Sequence, residues 1–257
     1  MRKRKSAVLI TALVAALSVA AIAYAAQVNT YTVTASTSPN KAGSLKKPVA
    51  EAVQFGYTVG EQSGQRPAVV AGYSILLKGL RTNGRYFKKC TAVKINGAGS
   101  DAVCPKGSKI GTGSVDNAAG ATANPNDKSI PCHLDLALYN AGQGKLSLFL
   151  SGGPSAAKPC AVKLSAAIAG KFVKRNGGEA LEFTVPQGLR HPITGVDNAV
   201  VATSAVIPRK VVTVKGKKHG FYESVGGCVK GKRAVIVTFT PESGPAATAT
   251  TSAACKK

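Results

Sequence analysis

The stretch CPKGSKIGTGS, Cys104 to Ser114, gathers three glycines, two lysines and two serines into eleven residues. Phosphate-binding loops use these residue types, because backbone N–H groups and a lysine can surround an anion. The spacing fits no such loop. A Walker-type cradle needs Gly-Lys-Ser/Thr immediately after it, and here Gly107 leads four positions later to Gly111 with no Gly-Lys step. The dinucleotide pattern fails as well, since Gly111 and Gly113 run into Ser114, Val115 and Asp116. The chain beyond Ser114 is strand-like, so no helix N-terminus faces the loop. A turn stapled at Cys104, leaving through Pro105 into a glycine-softened strand, accounts for the same residues.

Six cysteines carry the clearest chemistry: Cys90, Cys104, Cys132, Cys160, Cys228 and Cys255. An even number in an exported chain reads as a disulfide framework. Six cysteines allow 15 connectivities, of which pairing of neighbours is the simplest: Cys90–Cys104, Cys132–Cys160 and Cys228–Cys255. The nearest two are 14 positions apart and no C-x-x-C pair occurs, which argues against a zinc site. No cofactor motif is present, and no metal or cofactor is expected.

Catalytic candidates are sparse, because the chain has only 3 histidines and 11 carboxylates. His133 and Asp135 are two apart in a strand pattern and project from one face, where they could act as a base and its orienter. His191 stands before Pro192 as a turn residue, and His219 lies within the basic loop KGKKHG. Glu179 and Glu182, three apart in a strand, fall on opposite faces and cannot form a glycosidase pair. No G-x-S-x-G elbow occurs. The most basic region is 209–233, with Arg209, Lys210, Lys215, Lys217, Lys218, Lys230, Lys232 and Arg233 against the single acid Glu223. Read as strands turning between Gly216 and Gly220, it presents a cationic tip for polyanions, with Phe221 and Tyr222 beside it for stacking.

The elements that position these residues are set by the ends and the periodicity. Arg2, Lys3, Arg4 and Lys5 precede an apolar run to about Ile22, and Ala23-Tyr24-Ala25 forms an A-x-A site. That order predicts a secretory signal peptide cut after Ala25. Its removal takes four positive charges from a net +23, leaving about +19, which favours anionic wall polymer or membrane surface as partner. Specific nucleic-acid recognition is not expected.

Residues 26–257 then form one domain whose apolar residues alternate. Val53, Phe55, Tyr57 and Val59 share one face, and Leu134, Leu136 and Leu138 face Leu146, Leu148 and Leu150 across a glycine-bearing turn. Further strand-like runs lie at 31–35, 73–79, 160–170, 181–186, 199–208, 211–216 and 234–241. Residues 36–50, 117–129 and 245–254 are of low complexity, and 36–50 is expected to be a flexible tether. The pattern predicts an all-β fold, an antiparallel sandwich of jelly-roll or immunoglobulin type, or a barrel.

The run from Ser74 to Val115 resembles a group of uncharacterised exported actinobacterial proteins. In them a strand ends in Gly-Leu, a first cysteine comes next, and then C-P-x-x-S-x-I-G-x-G. Gly79, Leu80, Cys90, Cys104, Pro105, Ser108, Ile110, Gly111 and Gly113 carry the likeness. It implies an exported, disulfide-stapled β domain and brings no established activity. The expectation is a non-catalytic envelope protein, structural or binding, attracted to anionic surfaces. The alternatives are a secreted hydrolase with an unrecognised site and a carrier of an apolar ligand.

Overall fold

A computed structural model describes residues 27–156 and 159–256. The expected signal peptide, 1–25, lies outside them. The described residues form fifteen strands. The first five are β1 (Asn29–Ser38), β2 (Val49–Glu61), β3 (Val70–Lys78), β4 (Leu80–Thr82) and β5 (Lys109–Ala121). Next come β6 (Ile130–Gly142), β7 (Lys145–Gly152), β8 (Leu164–Arg175), β9 (Gly178–Thr184) and β10 (Val196–Ile207). The last are β11 (Val211–Val214), β12 (Lys217–Gly220), β13 (Tyr222–Ser224), β14 (Lys232–Pro241) and β15 (Ala247–Ala254). Two short helices interrupt them, α1 (Ala92–Ala98) and α2 (Gln187–Arg190).

Every strand pair is antiparallel, as the period-two pattern requires. The main ladder runs β15-β14-β3-β9-β8-β7-β6-β5-β10-β2, and β1 continues it beyond β2. The sheet rolls round so that β1 lies beside β15. No ladder crosses that seam. It is tied at one end, where Ala42 N–H donates to Lys256 O and Lys256 N–H to Asn40 O, both at 2.7 Å. One sheet therefore supplies both walls of the core. Tyr31 of β1 stacks on Phe239 of β14 at 4.1 Å, and the Tyr57 and Tyr73 rings lie 5.5 Å apart across the interior.

Alternation decides what faces inward. Arg233, Val235, Val237 and Phe239 of β14 are buried while their neighbours are not. The β6–β7 hairpin, expected to keep one face wet, is buried on both. Its Leu134, Leu136 and Leu138 point to the core, and Ala137, Tyr139 and Phe149 on the other side pack under Ile95 of α1. Thr91 caps that helix by accepting from Lys94 N–H, and Gly99 ends it at φ 65°. The helix arises inside the loop closed by Cys90 and Cys104, too short to show a helical period in the sequence.

All six cysteines are paired with their neighbours: Cys90–Cys104, Cys132–Cys160 and Cys228–Cys255. Three disulfides are at home in an oxidising compartment. The segment 36–50, expected as a tether, is instead bonded throughout. Residues 36–38 end β1, 49–50 begin β2, and between them Ser224 Oγ donates to Ala42 O. The low-complexity tail is β15, whose Ala253 is buried, as is Cys255 directly after it.

Removing the Cys132–Cys160 bridge tests this framework. That bridge closes a loop with a separation of 28 residues, which in the chain-entropy picture is worth roughly 3–4 kcal/mol. The double substitution Cys132→Ser, Cys160→Ser is expected to lower unfolding stability by that amount in a denaturant titration. An unchanged midpoint would mean that the bridge constrains nothing.

Candidate binding sites: a cationic end and an apolar interior

The glycine-rich stretch proves to be a stapled turn. Gly107 takes φ 91°, and buried Ser108 donates its hydroxyl to Pro105 O at 2.7 Å. Gly111 and Gly113 are there for close approach to β10: a Cβ on Gly111 would come within 2.6 Å of Val206 O, and one on Gly113 would run into Ser204 O. Ile110, directly before Gly111, is fully buried. Lys106 and Lys109 point to solvent, so no anion cradle forms.

The catalytic candidates separate. His133 pairs through Nδ1 with Asp116 on β5 at 2.6 Å, not with Asp135. No hydroxyl or thiol among the described residues bonds its other nitrogen. Glu179 turns inward, accepting from Thr82 N–H at 2.9 Å and Thr82 Oγ1 at 2.8 Å. Glu182 faces out, against Arg175 and Lys171. His191 lies between Asp197 and Glu242, and His219 stacks on Tyr86 at 3.9 Å.

The basic region needs two corrections. Phe221 and Tyr222 are core residues, packed edge-to-face at 5.4 Å, and neither can stack on a ligand outside. Arg233 is 0% exposed and cannot meet a polyanion. The inward side of β14 carries it to Ser224 Oγ, to which Nη2 donates at 2.5 Å, and toward Glu51 at 3.9 Å. Burial raises the Glu51 carboxyl above its usual range, with Arg233 opposing that rise, and burial lowers the Arg233 guanidinium. The remaining basic residues are outside. Lys215, Lys217 and Lys218 are exposed on the β11–β12 hairpin, and Lys230 and Lys232 on the turn before β14. Arg209 donates from Nε to Ala50 O at 3.0 Å, and Lys210 is half-buried.

Main-chain bonds gather these residues with others that the sequence scatters. Gly43 bridges Val225, Lys41 bridges Lys256, Val225 N–H donates to Gly79 O, and Asn83 N–H donates to Phe221 O. Exposed Lys41, Lys46, Lys47, Arg85 and Lys256 thereby join the 209–232 lysines at one end of the roll. The acids near it, Glu51 and Glu223, are buried, Glu223 beneath Arg81 at 2.9 Å.

The same economy holds across the molecule. Among the described residues, nine of the eleven carboxylates hydrogen-bond a cation, an imidazole, a hydroxyl or a backbone N–H; Glu51 lies 3.9 Å from Arg233 without a hydrogen bond, and Asp135 has no such partner. Asp127, for example, accepts from Ala121 N–H at 2.7 Å and from Ser129 N–H at 3.0 Å, which with Arg66 holds its pKa down to about 2. Apart from Lys171, which faces Glu182, the surface lysines have no carboxylate partner among the described residues.

The second site is the interior. The inward faces leave a small cavity of about 120 Å³, bounded on β10 by residues between Asn198 and Ile207. Its walls are chiefly the leucines of β6 and β7 with Ile75, Ile168 and Phe183. A few polar atoms interrupt them. The Tyr73 hydroxyl, Thr203 Oγ1 and Asn198 Oδ1 are buried and make no hydrogen bond. Burial raises the phenols of Tyr57 and Tyr73, the latter further because Tyr57 adjoins it. The sequence showed the leucines but not these oxygens, which come from three strands.

Truncating Arg233 separates its role from anion binding. Arg233→Met strands the Glu51 charge and is expected to cost roughly 3–5 kcal/mol of unfolding stability, while Arg233→Met with Glu51→Leu recovers most of it. Equal stabilities for the two variants would show that the pair does not interact. Comparison with known proteins gives no matching family model, no matching curated protein and no matching solved structure.

Proposed function

We propose that this is an exported, non-catalytic binding protein of the cell envelope, held at anionic material through its cationic end. The observation that carries the reading is the internal use of the carboxylates, which leaves the exposed lysines of that end uncompensated. A signal peptide at 1–25, the disulfides and a mature charge of about +19 support export and retention by charge.

Salt distinguishes charge from other retention, because screening shortens electrostatic reach from about 10 Å at 0.1 M to about 3 Å at 1 M. Protein bound to isolated envelopes is expected to elute as salt rises. Lys215→Gln, Lys217→Gln and Lys218→Gln together should lower the eluting concentration, whereas Lys128→Gln with Lys163→Gln, away from that end, should not. Retention indifferent to salt would remove charge as the cause.

The cavity favours a second reading, carriage of an apolar ligand. A small, apolar, enclosed space with unpartnered neutral oxygens suits a compact apolar molecule bearing an uncharged oxygen. Benzene, about the size of this space, is expected to bind at one per chain and phenol to displace it. Tyr73→Phe with Thr203→Val should weaken phenol roughly tenfold and leave benzene unaffected. The absence of saturable binding of either probe would end this reading.

A further inference from the structure

The cationic end carries apolar tips as well as lysines. Leu45 is 74% exposed and Val229 71% exposed, each on a turn that its own backbone holds rigid. Around Leu45, Ser44 N–H donates to Lys47 O and Lys47 N–H to Ser44 Oγ, both at 3.0 Å. Beside Val229, the hairpin Val229–Lys232 closes with reciprocal bonds of 2.9 and 3.0 Å, with Lys230 and Gly231 at φ 49° and 76°. Both turns leave one bonded frame, since Gly43 bridges Val225, and Cys228 is joined to Cys255 beside the Lys41–Lys256 bridge. Lysines flank each tip: Lys46 and Lys47 come directly after Leu45, and Lys230 directly after Val229.

An apolar side chain held out in water beside lysines has no use against a soluble polyanion, which offers no place to bury it. A bilayer with anionic headgroups offers both partners at once. Its surface potential attracts lysines at about 1 kcal/mol each, and the headgroup–acyl boundary accepts apolar side chains a few ångströms below. Both turns are already closed by their own hydrogen bonds, so immersion needs little ordering of the chain.

From this geometry we infer that the cationic end docks on an anionic lipid bilayer, with Leu45 and Val229 entering the interface and the surrounding lysines binding headgroups. The inference rests on charge-driven retention at the envelope and names the lipid surface as its partner.

The chain contains no tryptophan, so a Leu45→Trp variant reports this tip alone. With vesicles of equal phosphatidylglycerol and phosphatidylcholine, its emission should shift to the blue and be quenched by acyl-brominated lipid. Pure phosphatidylcholine should give neither effect. Leu45→Ser with Val229→Ser should lower partitioning into the anionic vesicles roughly tenfold or more and leave binding to soluble anionic wall polymer unchanged. If the Leu45→Trp emission does not move while envelopes still retain the protein in a salt-dependent way, lipid docking falls and retention by charge stands, with wall polymer as the partner. If envelopes and vesicles both fail to bind, both ideas fall.

Discussion

An antiparallel sheet of this length ends in two bare edges, each a row of unpaired N–H and C=O groups that invites association. Here the roll brings them together, and the tie between residues 40–42 and Lys256 is the constraint on which the rest depends. β1 is held on β2 by its ladder, and the 39–48 connection beyond it is anchored on Ser224 and Val225. β15 is held on β14 by its ladder, and Cys255 just past it is linked to Cys228. Across the seam the Tyr31 and Phe239 rings stack. Closure brings with it a crowded polar knot beneath the seam, where Glu51, Ser224 and Arg233 are shut away from water.

That knot and the cationic end are two sides of one arrangement. The roll has few acids and uses nearly all of them as internal fasteners: Glu61 closes the turn after β2, Asp197 holds Arg66, and Glu223 holds Arg81 and Gly220 N–H. A carboxylate employed in this way cannot also neutralise a surface lysine. The net charge is thus more unevenly distributed than composition implies. Arg190, His191, Asp197 and Glu242 make a mutually satisfied cluster around α2, whereas the lysines around the seam have no such partners. A molecule charged so asymmetrically arrives at an anionic surface already turned.

Much of the fold was legible in the sequence because strands announce themselves by alternation. Val53 to Val59, Leu134 to Leu138 and Val235 to Phe239 all face the core as their spacing required. The disulfides too kept to sequence order. β15 was hidden because ATATTSAA alternates small residues with threonine, and its inward side needs little bulk beside the seam. α1 was hidden because its two turns lie inside a disulfide loop and bury only Ala92 and Ile95. The site was less legible. Lys215, Lys217 and Lys218 were visible as a run, but Lys41 and Lys256 reach them only through long-range bridges. Arg233 read as one more surface cation because strand parity, not charge, decides that it points inward.

The interior and the charged end are linked through the strands that run between them. Ile207 ends β10 at the basic hairpin, and Asn198 lies near its start beside α2, where Asn198 Nδ2 donates to Leu189 O at 2.8 Å. The unpartnered oxygens of Asn198, Thr203 and Tyr73 belong to that second half, while the half nearer the lysines is lined by Leu80, Leu138, Leu146 and Ile207 with the Glu179 carboxylate that holds Thr82. An anionic headgroup would find no free cation within, because Arg190 is engaged by Glu242, and would have to give up its hydration for hydroxyls alone. The lysines outside and the oxygens inside are therefore suited to different chemistry, the first to anions and the second to neutral groups.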